Sequence, residues 1–494
     1  MLLAGEYAYK LKKPVNFGFL DFSTLASRLH FCEEEIRLNR RLAPAIYLDV
    51  VPVTGSIRAP RFGGSGEPIE YAVRMRRFRR EDEFDRLAER GALREEHVDA
   101  LAAQVAAFHE RAAIAPADAP WGTPEAALAP CSANFAHLLA LPLPERQKDR
   151  LERLRRWTLA EHERLRPLIA ARLAGGRVRE CHGDLHLANI VLVDGEPLVF
   201  DALEFNPALR WTDVMSELAF TSMDLEHRGH HEFAQRYLDD YLAASGDYGG
   251  LAMLPFYLVY RALVRAKVAA LRAQQPEGAA GGAHAMADAF EIETHLSLAE
   301  RFATPHPRCL LLTHGVSGSG KSFVARWLLQ TGAWIRLRSD VERKRLAGLG
   351  ALQSSRAAAA VDLYSAQTTE RTYARLLELA SQVLDAGFPV IVDAAFLRAD
   401  QRAAFAALAR AKAVAWIVLA LSAPERTLRE RVAGRLALGR DPSEATVEVL
   451  ELQLRSAQPP AAAELAHTVA FDSSGESGLR ELAQEIGRRC ASRS

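Results

Sequence analysis

Gly315-Val316-Ser317-Gly318-Ser319-Gly320-Lys321-Ser322 follows directly on the apolar run Leu310-Leu311-Leu312-Thr313 and opens a segment of helical periodicity. The spacing is that of G-x-x-x-x-G-K-[ST], set between a strand and a helix as that loop requires. Glycines there let backbone N–H groups turn inward around phosphate oxygens. Lys321 supplies a point charge for the β and γ phosphates, and the Ser322 hydroxyl is a ligand for Mg2+. The stretch therefore predicts a site for ATP phosphates at a strand-to-helix turn.

Reading outward, short apolar runs at Cys309 to His314, Trp334 to Arg338, Pro389 to Asp393 and Val414 to Leu421 alternate with longer amphipathic segments. That alternation predicts an α/β P-loop domain with a parallel, doubly wound sheet, spanning residues 306–494. Asp340 closes the second run and Asp393 the third, at the carboxyl edge where such sheets bind ligands. Asp340 is a candidate to position or deprotonate an acceptor hydroxyl, and Asp393 a candidate Mg2+ carboxylate; for each the alternative is a helix cap. Ser422-Ala-Pro-Glu425 reads as a capping box, and the helix behind it carries Arg431 and Arg435 on one face, with Arg440 beyond. These arginines read either as a lid over the transferring phosphoryl group or as a solvated face. The phosphate loop, Ser339-Asp340, the Asp393 strand and the arginine helix together resemble small P-loop kinases near the zeta-toxin, polynucleotide-kinase and gluconate-kinase families. The resemblance implies fold and nucleotide chemistry and leaves the acceptor open.

The seam upstream lies between about 273 and 308, where Ala-Gln-Gln-Pro-Glu-Gly, Gly281-Gly282 and Thr304-Pro-His-Pro307 interrupt the helical patterning. Before it, residues 6–12, 46–53 and 69–76 read as strands, with a helix over 24–42. From 83 onward the pattern is mostly helical, except for Ile190-Val-Leu-Val193, Asp194-Gly195 and Pro197-Leu-Val-Phe200, a hairpin with a tight Asp-Gly turn. This predicts an α+β two-lobed domain over 1–300, with a strand-rich lobe to about 80 and a helical lobe from 81.

That hairpin is framed by Cys181-His182-Gly183-Asp184-Leu185-His186-Leu187-Ala188-Asn189 and by Val199-Phe200-Asp201-Ala-Leu-Glu204. Asp184 and Asn189 are spaced as in the kinase pattern H-R-D-x-x-x-x-N, and Asp201 ends the second strand where a metal-binding carboxylate belongs. Asp184 would orient the acceptor hydroxyl and take its proton, while Asn189 and Asp201 would hold Mg2+. His182 and His186 flank Asp184 and read as packing and hydrogen-bonding residues of the loop, with a metal site as the alternative. Glu204 is either an auxiliary ligand or a cap.

With Gly183 where protein kinases have arginine, H-G-D-L-H-x-x-N-I resembles the aminoglycoside phosphotransferase and choline kinase superfamily, in particular its bacterial branch fused to a P-loop kinase. The similarity runs over about 1–300 and includes Tyr9-Lys-Leu-Lys-Lys-Pro14, Asn16-Phe-Gly-Phe-Leu-Asp-Phe-Ser23, the helix around Glu33-Glu34-Glu35, and Tyr257 to Lys267. It implies Lys10 as the lysine on the phosphates, with Lys12 as the fallback, and Glu35 as its partner; a cluster of glutamates is otherwise a solvated helix face. Relatives carry further strands before the lysine strand. The expectation is therefore that the native chain starts upstream of Met1 and that the present first site, with its lysine on an unflanked terminal strand, binds nucleotide weakly.

Bulk properties agree with a cytoplasmic, bifunctional kinase. The chain has 494 residues, enough for two domains, and its 62 basic residues balance 62 acidic ones, which argues against nucleic acid and anionic membrane as partners. Five scattered cysteines without C-x-x-C spacing disfavour disulfides and zinc and fit a reducing compartment. No signal segment or long apolar stretch stands out. The leading expectation is transfer of the γ-phosphoryl of Mg-ATP to hydroxyls of small-molecule acceptors in both domains. The alternatives are a nucleotide-gated regulatory protein with one active kinase domain, or a kinase for a protein or an RNA end. Oligomeric state is left open.

Overall fold

The computed structural model describes residues 1–16, 21–274, 282–351, 353, 365–438, 442–475 and 477–491. Phe17 to Leu20 of the Asn16 to Ser23 stretch, residues 275–281 of the seam and Arg440 lie outside the described residues. The chain divides into two compact units, the first comprising Met1–Tyr237 and Met253–Thr304, the second Leu238–Ala252 and Pro305–Ser494.

The first unit opens with β1 (Leu2–Ala4), β2 (Tyr7–Leu11), α1 (Leu25–Asn39), β3 (Tyr47–Ser56), β4 (Ala59–Phe62) and β5 (Glu70–Arg76). The strands form an antiparallel sheet in the order β1-β2-β5-β3-β4. β2, which carries Lys10, therefore has a neighbour on each side: Leu3 is in register with Ala8, and Lys10 with Val73. The expectation of an unflanked lysine strand is corrected here. The three residues of β1 suffice to pair its outer edge, because the turn at Gly5 (φ 59°) folds them straight back. α1 is capped by Thr24, whose hydroxyl accepts from the Ser27 amide, and packs Cys32 and Ile36 against Val73 and Met75.

The helical lobe continues through α2 (Phe84–Glu89), α3 (Glu95–Arg111), α4 (Pro124–Leu139), α5 (Glu145–Ala174), β6 (Val178–Glu180), β7 (Ile190–Val193), β8 (Glu196–Val199), α6 (Pro207–Arg210), β9 (Trp211–Asp213), α7 (Val214–His227), α8 (His231–Ser245, counted with the second unit from Leu238 onward), α9 (Leu254–Ala273) and α10 (Gly282–Phe302). β7 and β8 form the antiparallel hairpin, with Asp194 (φ 53°) and Gly195 (φ 86°) both left-handed at its turn, as a type I′ turn demands. Phe220, Met223, Val259, Leu263 and Leu296, from α7, α9 and α10, share one apolar core behind the loop that precedes the hairpin.

The second unit runs β10 (Cys309–His314), α11 (Lys321–Leu329), β11 (Ile335–Arg338), α12 (Ser339–Leu346), α13 (Ala366–Asp385), β12 (Val390–Asp393), α14 (Ala399–Ala411), β13 (Ala415–Ser422), α15 (Glu425–Leu438), α16 (Val447–Ser456), β14 (Thr468–Asp472) and α17 (Leu479–Ala491). Its sheet is parallel throughout, in the order β11-β12-β10-β13-β14. Leu310, Leu311 and Leu312 of the central β10 are fully buried, as a strand covered on both faces must be. Ser422 ends β13 and its carbonyl accepts the Ser473 amide, so it belongs to the sheet and not to a helix cap. All five cysteines are buried free thiols, and no helix among the described residues is long and apolar enough to cross a membrane.

Candidate active sites

In the first unit the residues picked out by the motif converge on one cleft. Asn189 donates from Nδ2 to the Asp184 carbonyl (2.9 Å) and to Asp184 Oδ2 (3.1 Å), tying the two ends of the loop together. Asp201 sits just past β8 with φ 64°, a conformation uncommon for a residue with a side chain, and its amide donates to the Tyr47 hydroxyl at 3.1 Å. Its carboxylate is thereby aimed at Lys10, whose Nζ lies 2.5 Å from Asp201 Oδ1 and 2.8 Å from Glu35 Oε1.

Lys12, two residues along the same strand, reaches Glu35 Oε2 at 2.6 Å and Glu204 Oε1 at 2.5 Å. Glu35 has no exposed surface while Glu33 is exposed, so the solvated-face reading fails for Glu35. Burial works to lower the pKa of Lys10, but Glu35 and Asp201 hold it well above its usual value. Glu204 is pushed up, first by burial, and it caps no helix: it is the second carboxylate on Lys12. Lys10 and Asp201 open onto a cavity of about 860 Å3 whose other walls include Leu3, Ala8, Met75, Phe78 and Phe200.

Three residues that the sequence reading passed over hold the loop from behind. Glu217 of α7 accepts the amides of His182 (2.6 Å) and Gly183 (2.7 Å) on Oε1, and its Oε2 lies 2.8 Å from His109 Nε2. Burial would raise this carboxyl; the His109 hydrogen bond and its charge keep it at about 2. Arg261 of α9 donates to the Gly183 carbonyl at 3.0 Å. The signal was present in the sequence, since Glu217 is the one charged residue in the run Val214-Met-Ser-Glu-Leu-Ala-Phe.

Gly183 has φ 89°, and a Cβ there would meet the Leu209 carbonyl oxygen at 3.0 Å and Leu203 Cδ1 at 3.1 Å. His182 donates from Nε2 to the Phe200 carbonyl (2.9 Å) and accepts the Asp184 amide on Nδ1, a structural role for that ring. His186 Nε2 stands 3.4 Å from Asp184 Oδ2. Burial opposes ionisation of Asp184, yet the hydrogen bond and charge of His186, with Arg261 beyond, hold it well below the usual carboxylate range.

In the second unit the phosphate loop wraps the N-terminus of α11. Gly315, Gly318 and Gly320 all have left-handed or mirror-β φ values of 150°, 83° and 79°. A Cβ on Gly318 would lie 2.7 Å from the Leu428 carbonyl oxygen and one on Gly315 would lie 2.6 Å from that of Leu421, so backbone packs where a side chain would sit. Lys321 folds back, donating to the Val316 carbonyl at 2.7 Å, and burial pushes it down to about 8. The Ser317 amide donates to Gln453 Oε1 at 2.7 Å, so an amide oxygen from α16 faces the loop's N–H groups.

Lys321, Ser322, Asp340, Asp393, Arg431 and Arg435 line one cavity of about 500 Å3, together with Ser317, Gly318 and Gly320. Asp340 lies in the first turn of α12, whose N-cap is Arg338, and pairs with Arg343 at 2.7 Å. Asp393 ends β12 several residues before α14 starts, and its Oδ2 is buried without a hydrogen-bond partner. The capping alternative is thus removed for both. Asp393 Oδ2, 3.9 Å from an Arg336 guanidinium nitrogen, and the Ser322 hydroxyl line the same cavity, oxygen donors that suit a hard divalent cation. Arg431 is no solvated residue: it donates to the Gly318 carbonyl (3.2 Å), to Ser473 Oγ (3.1 Å) and to the Ser473 carbonyl (2.6 Å), bracing the loop. Arg435 reaches the Ala445 carbonyl at 3.4 Å.

Comparison with known proteins follows the same division. Residues 22–254 match the phosphotransferase enzyme family, and residues 310–460 match an AAA domain. Uncharacterized proteins of Mycobacterium tuberculosis and Mycobacterium bovis are each 32% identical over 450 residues, covering 91% of this chain and 86% of their own length. Among solved structures, a gluconokinase from Sinorhizobium meliloti is similar at 20% identity and a TM-score of 0.27, covering 37% of this chain and 98% of its own. The Mycobacterium tuberculosis APS kinase CysC, in complex with AMPPNP and APS, is similar at 23% identity and a TM-score of 0.28, covering 38% of this chain and 100% of its own.

Proposed function

The chain is a kinase that belongs to the same family as these mycobacterial proteins, and on that premise we propose that each of its domains binds Mg-ATP and transfers the γ-phosphoryl to a hydroxyl of a small-molecule acceptor. The observation that carries this reading is the meeting of Asp184, Asn189, Asp201 and the Lys10–Glu35 pair, from residues up to 191 positions apart, at one cleft.

In the first domain the apolar walls formed by Ala8, Met75 and Phe200 suit a nucleotide base, and Lys10 stands where the phosphates would end. Asn189 and Asp201 would hold Mg2+, which when bound neutralises charge on the phosphates. Asp184, kept ionised by its neighbours, accepts a hydrogen bond from the acceptor hydroxyl and aims its oxygen at the γ-phosphorus. The new oxygen–phosphorus bond forms as the bond from the γ-phosphorus to the β–γ bridging oxygen breaks, and the hydroxyl proton passes to Asp184. A carboxylate of such low basicity contributes mainly orientation before the transfer and takes the proton late. In the second domain the loop N–H groups and Lys321 cradle the phosphates, Ser322 and Asp393 would hold the cation, and Asp340 takes the part of Asp184. Arg435 lies within the same cavity to meet charge on the transferring group, while Arg431 keeps the loop in shape.

The test is a screen of metabolite extracts for ATP-dependent mass gains of one phosphate, run in parallel with Asp184→Asn and Lys321→Ala chains. A product lost in one variant is assigned to that domain. Retention of every product in both would overturn the reading.

A further inference from the structure

Away from both clefts, His227 at the end of α7 meets Glu291 and His295, one turn apart on α10. One metal-ligating atom from each of the three lies within 4.8 Å of the others. Glu291 Oε2 is 3.6 Å from His227 Nε2 and 3.6 Å from His295 Nδ1, and the two imidazoles stack with centroids 3.9 Å apart. Ligand atoms on a tetrahedral zinc ion, at about 2.0 Å from the metal, stand about 3.3 Å from one another, so His227 Nε2 and Glu291 Oε2 are already near coordination spacing.

The decisive feature is His295. Its side chain is almost wholly buried, at 2% exposure, and its Nδ1 donates to the Glu291 carbonyl at 2.7 Å. That leaves Nε2 as the lone-pair nitrogen, buried and without any hydrogen-bond partner. A buried acceptor left unsatisfied costs about 1–3 kcal/mol, and a histidine whose other nitrogen is fixed by a backbone carbonyl is the arrangement that presents an imidazole to a metal. The three residues border a cavity of about 710 Å3, which gives an ion and its water a path from solvent. Carboxylates and arginines, Arg265 among them, line the same cavity in near-equal number, so net charge alone does not recruit a cation there. Holding must come from coordination by nitrogen, which selects a borderline transition ion over Mg2+ or Ca2+.

We propose that His227, Glu291 and His295 bind one divalent transition-metal ion of the Zn2+ class, with water in the remaining position, and that the ion staples α10 to α7. The role is structural. Both helices belong to the apolar core behind the catalytic loop, where Phe220 and Met223 of α7 pack with Leu296 of α10.

The experiment uses the untagged full chain, stripped with a chelator and titrated with Co2+ as a spectroscopic probe, then with Zn2+ in competition. One equivalent of Co2+ should give ligand-field bands typical of low coordination number, and Zn2+ should displace it. His227→Ala and Glu291→Gln, at positions open enough to be replaced without loss of fold, should each weaken binding at least about tenfold. In the wild type, Zn2+ should raise the melting temperature, and in either variant it should not. Absence of stoichiometric Co2+ bands, or bands unchanged in both variants, would overturn the assignment. So would Zn2+ stabilisation that persists in His227→Ala.

Discussion

The two candidate active sites of this chain have opposite electrostatics. In the first, the lysine of the proposed phosphate site is already paired: Lys10 lies between Glu35 and Asp201, and Lys12 shares Glu35 from its other oxygen. In the second, Lys321 has no carboxylate within salt-bridge range among the described contacts and rests on the Val316 carbonyl, its proton affinity lowered by burial. A paired lysine has its geometry set beforehand, and a phosphate must displace Asp201 from it. An unpaired lysine in a dry loop is poorly solvated, and a phosphate relieves that. The first site is thus organised by side chains from distant parts of the chain, the second by the local run of backbone around a helix start.

The sharpest way to break this comparison is at Asp184. Asp184→Asn should lower phosphoryl transfer by the first domain about a thousandfold, the usual weight of a positioned acid–base group, and leave the second domain's product untouched. Product-resolved mass spectrometry reads both at once. Next is Glu35→Gln, which takes the shared carboxylate from two lysines and leaves Lys10 to Asp201 and Lys12 to Glu204. Removing one partner of a buried ion network costs about 3–5 kcal/mol, so denaturant unfolding should show a loss of that order in the first domain. No residue of the second site has a comparable structural burden; a melting transition shifted less by Glu35→Gln than by Asp340→Asn would undo the contrast.

Lys321→Ala should weaken nucleotide binding at the second site by about a hundredfold, the weight of charge-assisted contacts to phosphate, as read by calorimetry on the full chain. The smallest effect is also the most diagnostic. Lys321, at about 8 in the free protein, loses its proton as pH rises through that value, whereas a phosphate-bound lysine keeps it. Affinity at the second site should hold steady below pH 8 and fall about tenfold per pH unit above it. Lys10 is shifted the other way, so the first site should stay flat over the same range. The Lys321→Ala chain isolates the first site and should lack the alkaline limb.

What could be read from the residues alone follows from the same division. The phosphate loop is contiguous, its glycines are demanded by local backbone geometry, and strand and helix periodicity place it without reference to anything distant. Asp184, Asn189 and Asp201 were legible because a loop and a hairpin bring them together within a short span. The arrangement around the lysines was not. Whether Lys10 or Lys12 meets Glu35 cannot be decided by spacing, and both do, since residues two apart share a strand face and a carboxylate has two oxygens. Glu204 joins Lys12 from 192 positions away, and no local rule anticipates it. The flanking of β2 was missed because three residues are too few to show strand periodicity. That Arg431 also braces the phosphate loop was not legible, since its partner Ser473 lies on a turn after β14.

Gly183 has a consequence for control. Protein kinases place an arginine beside the catalytic aspartate, and a phosphorylated activation segment docks on such a residue to bring the site into order. At Gly183 the left-handed backbone, the Leu209 carbonyl and the Leu203 side chain occupy the room that an arginine stem would need. The amide and carbonyl of this glycine are meanwhile held by Glu217 and Arg261. The place where a protein kinase carries its phosphate-docking arginine is therefore walled off in this domain, so an activation segment has no such socket at the loop.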